Sequence, residues 1–81
     1  MNKPVYHAIK KDLASPSYIL YVLIQGDGVT ADFLIEKATT VSTVTEKTYY
    51  EGSEANETTA AAWTARAAKT YVEKTDFKGE F

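Results

Sequence analysis

The chain has 81 residues, a net charge of −2, no cysteine and a single histidine. Disulfides and thiolate metal sites are therefore excluded, a histidine-based metal site is disfavoured, and a domain this small needs some other help to stay folded, most simply self-association. Acids and bases are mixed along the chain, with Lys10-Lys11 the longest basic run, so the basic stripe of a nucleic-acid binder is missing.

Residues 3–13 read two ways. As a strand, Val5, His7 and Ile9 share one face; as a helix, Pro4 suits the first turn and Val5, Ala8, Ile9 and Leu13 form a stripe. The β-branched and aromatic residues Val5, Tyr6 and Ile9 favour the strand. Ala14-Ser15-Pro16-Ser17 makes a turn, and Tyr18 to Gln25 is the central strand. Its unbroken apolar run, Tyr18 to Ile24, marks burial on both faces, because successive side chains point to opposite sides of a sheet. The run is too short to cross a bilayer as a helix.

Gly26-Asp27-Gly28 is a hairpin signal rather than a phosphate loop, since it joins two strands and lacks the P-loop lysine. Val29 to Lys37 is the return strand, with Leu34 an apolar exception on its polar face. Ala38 to Thr40 reads as a short connection, and Val41 to Tyr50 as a threonine-rich edge strand ended by Glu51-Gly52.

Ser53 reads as the N-cap of one helix running from 54 to 74, with Glu54 and Glu57 at the positive end of its dipole. Ala60, Trp63, Ala67 and Tyr71 form one stripe and Ala61, Ala65, Ala68 and Val72 the next. Residues 76–81 form a tail, made flexible by Gly79, with Phe77 and Phe81 as anchors that would let it fold back over the sheet.

The candidate chemistry is thin. Asp32 and Glu36 share a strand face and Glu46 is placed across from them, but nothing directs them into a cleft, and His7 has no nucleophile beside it. Tyr18, Tyr21, Phe33, Tyr49 and Tyr50, with Lys10, Lys11, Lys37 and Lys47, are the residues a base-stacking sheet would use; core packing explains the aromatics better. With residues 3–13 helical, the order α-β-β-β-α is similar to double-stranded RNA-binding domains, whose last helix is alanine-rich, as is Ala60 to Ala68. Those domains place lysines where this chain has Glu54 and Glu57.

The expected fold is α+β: a single domain, 1–81, in which an antiparallel meander of three or four strands is packed on one face by the C-terminal helix. One helix covers one face, so the other is expected to meet a partner. Tyr21, Leu23, Leu34 and Tyr50 are the candidate interface residues. The function expected is non-enzymatic protein–protein contact through a homodimer or another protein, accessory or inhibitory in the manner of small phage-type proteins. The alternative is a nucleic-acid-binding module using the aromatic sheet face. No cofactor is called for. With no apolar segment after Lys3 to suggest a signal peptide, a soluble cytoplasmic protein is the default expectation.

Overall fold

The computed structural model describes residues 4–14, 16–24 and 30–81. Four strands form one antiparallel sheet in the order β1-β2-β3-β4: Val5–Asp12, Ser17–Ile24, Thr30–Val41 and Val44–Ser53. Residues 5–12 are thus a strand, which removes the α-β-β-β-α order and its likeness to duplex-RNA modules. The Gly26-Asp27-Gly28 turn lies outside the described residues, but the strands it joins pair as a hairpin requires, with Leu20 opposite Ile35 and Val22 opposite Phe33.

The β3–β4 connection falls later than expected. Ala38, Thr39 and Thr40 continue β3, opposite Lys47, Glu46 and Thr45. The turn is at Ser42-Thr43, where Ser42 adopts φ 57°. Threonine's branched Cβ favours extended backbone, so a threonine-rich segment read as a loop extends the ladder instead. At 12 residues, β3 is the longest strand. It spans about 40 Å at the usual rise per residue.

The two sheet faces carry separate cores. Tyr18, Leu20, Val22, Phe33 and Ile35 pack with Ala62 on one face, joined by Ile24, Tyr50, Trp63 and Tyr71. Tyr6, Leu23 and Leu34 pack on the other, joined by Tyr21, Tyr49 and Phe77. The alternation read in Tyr18–Ile24 divides its side chains between these cores, and both are closed from within the chain.

The expected helix over 54–74 is largely absent. An α-helix covers Thr59–Thr64 only (α1), followed by a 3₁₀ turn at Arg66–Ala68. Its N-cap is Thr58, whose Oγ1 accepts from Ala61 N–H at 3.1 Å. Ser53 instead ends β4 and accepts from Ala55 N–H. The buried residue of α1 is Ala62, which belongs to neither expected stripe. Alanine's helix advantage is a fraction of a kcal/mol per residue, and short helices are marginal unless packing supports them. The helix stops at Lys69, whose backbone is extended, and Val72 exchanges backbone hydrogen bonds with Tyr49 at 2.8 and 3.0 Å.

Residues 73–81 then cross to the second face. Tyr6 N–H donates to Glu80 O at 2.7 Å, and Glu80 N–H donates to Pro4 O at 2.9 Å, so the tail adds a one-residue parallel rung to β1. Gly79 is buried; a Cβ there would lie 2.4 Å from Leu23 Cδ1 and 2.6 Å from Pro4 O, so only glycine permits this approach. Phe77 meets Tyr49 edge-on, and Phe81 stacks on Tyr6 at 4.9 Å. The second face, expected to be uncovered because one helix covers one face, is therefore closed by the tail.

Candidate interaction surface

The four residues expected at an interface are divided by the fold. Leu23 and Leu34 are 1% and 0% exposed, beneath the tail. Tyr21 is half-buried beside them, edge-on to Tyr6 and Phe81. Tyr50 lies on the opposite face, where its hydroxyl donates to Glu57 Oε1 at 3.0 Å. The structure brings Tyr21, Leu23 and Leu34 together, but as parts of an intramolecular core. The sequence signal for this was Phe77 and Phe81 at the end of a tail long enough to reach back.

The surface left open lies elsewhere. β2 begins its pairing with β3 at Ser17–Ala38, so Thr39–Val41 have no β2 partner. They pair with β4 alone, through Val41–Val44, Thr40–Thr45 and Thr39–Glu46. Residues 39–46 are therefore a two-stranded arm projecting past the rest of the sheet. Alternation puts Thr39, Val41, Val44 and Glu46 on one face, lining a shallow hollow of about 270 Å³. Val41 is 72% exposed and Val44 61%. On the other face the Thr40 and Thr45 hydroxyls share a hydrogen bond of 2.8 Å. Glu46 is the arm's single charged side chain. Edge strands usually carry lysine, proline or a bulge that discourages pairing with another chain; residues 39–45 carry no lysine or proline, and the β3–β4 register runs through them without a bulge.

The acid–base candidates are tied up in structural contacts. Asp32 and Glu36 do share a face, but Glu46, opposite Thr39, is on the other one. Lys78 stands 3.7 Å from Asp32. Glu36 is buried, accepting from the Tyr49 hydroxyl at 3.2 Å with Lys47 at 3.9 Å. Glu57 sits between Lys69, at 2.7 Å, and Tyr50, and these partners hold its carboxyl below the usual range. The helix-dipole role expected of Glu57 is not the one it plays, since it precedes the cap. Arg66 binds Asp12 at 2.8 Å and lowers its pKa likewise. Burial pushes the Tyr49 and Tyr71 hydroxyls up to about 12. These contacts and burial hold the Asp12 and Glu57 carboxyls low and the Tyr49 and Tyr71 hydroxyls high, the reverse of the tuning that general acid–base chemistry uses. His7 is exposed on β1. No group of three or more His, Asp or Glu residues placed to hold a metal occurs among the described residues.

The aromatic residues do not make one stacking platform either. Tyr18, Phe33 and Tyr50 belong to the α1 side, and Tyr21 and Tyr49 to the tail side. Lys37 lies over the Tyr71 ring at 5.5 Å, and Lys47 faces Glu36. No helix among the described residues is long and apolar enough to cross a membrane. Compared with protein-family models, curated proteins and solved structures, the chain matches none.

Proposed function

We propose that this protein is a non-enzymatic interaction protein, accessory or inhibitory in character, that acts as a homodimer joined through its β3–β4 arm. The projecting arm carries this reading: adjacent exposed valines on one face, backbone along both edges without a partner strand among the described residues, and one charge. A second copy fits the arm because it opposes no like-charged cluster. The other free edge, β1, would set Lys10 and Lys11 against their own copies.

The interface is small. Fully burying a valine is worth at least ~1.5 kcal/mol, and association costs ~4 kcal/mol or more. A concentration-dependent dimer follows rather than an obligate one. The experiment is sedimentation equilibrium across concentration, with wild type beside a Val41→Lys/Val44→Lys double variant. Wild type should shift toward twice the monomer mass as concentration rises, and the variant should remain a monomer with an unchanged melting temperature. A wild type that stays at monomer mass up to millimolar concentration overturns the homodimer.

A further inference from the structure

The second open surface is the outer edge of β1, and its chemistry differs from that of the arm. β1 is the terminal strand of the sheet. The chain itself shows that this edge accepts an added strand, since Glu80 bonds to Pro4 and Tyr6 in parallel register. That rung stops at Tyr6 and leaves the edge from Ala8 onward without a neighbouring strand among the described residues. Tyr6 N–H points outward, so by alternation Ala8 does too. The register slip between Ala8 and Lys10 inserts Ile9 and resets the alternation, so that Lys11, opposite Ile19 as Ala8 is opposite Tyr21, is the next outward-facing position.

The side chains along this stretch set its charge. Lys10 and Lys11 lie on opposite faces of β1, both exposed, and neither forms an ion pair among the described residues. Asp12, the one acid in the stretch, is neutralised by Arg66 at 2.8 Å. Glu80 lies at the far end, beside Val5. Ile9 is 50% exposed and Leu13 76%. A strand laid here meets a lysine on each face, with the exposed side chains of Ile9 before them and Leu13 beyond.

We infer that the edge from Ala8 to Asp12 takes an extended acidic segment of another protein as an added β-strand, with main-chain bonds giving affinity and the lysines selecting carboxylates. The lysines and the bulge still discourage one copy from pairing with another here, because a second copy brings lysine to lysine. An acidic strand removes that objection. This surface is independent of the arm, and a monomer would carry it equally well.

The experiment uses the full chain and a short capped peptide of alternating glutamate and valine. A lysine–valine peptide of equal length and a single-stranded oligothymidine serve as comparisons. Amide hydrogen exchange should slow at Ala8 and Lys11 with the glutamate peptide and with neither comparison. Lys10→Glu/Lys11→Glu should weaken that binding about tenfold or more, the equivalent of roughly 1.4 kcal/mol. Lys11→Pro, which deletes an outward N–H but no bond to β2, should weaken it while the melting temperature holds. Equal binding of the lysine–valine peptide, protection by oligothymidine instead, or unchanged exchange at Ala8 and Lys11 each overturns the inference.

Discussion

Leu34 shows how much one side chain's meaning depends on what covers it. By alternation it stands on the polar face of its strand, where a substitution would be expected to weaken association. In the structure it is fully buried, between Tyr21 of β2, Glu51 of β4 and the tail. Leu34→Asp therefore strands an unpaired carboxylate in an apolar core. We predict a loss of ~3–5 kcal/mol, read as a fall in the urea midpoint, whatever the association state. Gly52 makes a comparable point on the other face, because a Cβ there would come within 2.4 Å of the Phe33 ring, which is itself fully buried. Each residue type was legible; the atoms above it were not.

At the scale of elements, the strands follow their residues and the helix does not. Branched and aromatic residues specify β1, β2 and β4, and β3 overruns its expected end because its threonines serve the ladder as well as a loop. The alanine-rich segment carries a strong local preference for helix over more than twenty residues, yet α1 keeps six. Tyr71 is the reason. Extended, it reaches Tyr18 and Tyr50 and donates its hydroxyl to Arg66 O at 2.8 Å, while Val72 pairs with β4. Those contacts outweigh a few more turns of exposed helix. The cap moves accordingly. Thr58→Ala should cost about 1 kcal/mol in the thermal transition, whereas Ser53→Ala, which removes only an exposed turn contact, should cost less than half of that.

At the scale of the whole molecule, one continuous segment from 58 to 81 closes both faces of the sheet by passing around the β4 edge. Its fastenings titrate at the two ends of the pH scale. Asp12 and Glu57 have folded pKa values below their ordinary ones, so their contribution is present above the unfolded values and lost as pH falls through the folded ones. Tyr49 and Tyr71 behave oppositely. Their folded values near 12 lie above the ordinary 10.0, so their contribution is complete below pH 10 and lost as pH rises toward 12. Stability should hold a broad plateau between these ranges and fall steeply above pH 10, with tyrosinate absorbance appearing in step with the loss of near-UV circular dichroism. Tyr71→Phe, which removes the ionisable hydroxyl, should soften that alkaline fall.

The sequence by itself determined the antiparallel meander of three or four strands and the division of Tyr18–Ile24 between two faces, while residues 3–13 read as strand or helix until the pairing of β1 with β2 decided them. Side-chain alternation is a local property, readable from neighbours a residue apart. The course of residues 58–81 was decided only in the tertiary structure. The local helix preference of its alanines is overridden by Tyr71, Phe77 and Phe81 meeting rings that lie far away in sequence and adjacent in space. The same distant contacts moved the open surface from the middle of the sheet to its two margins, the arm and the β1 edge.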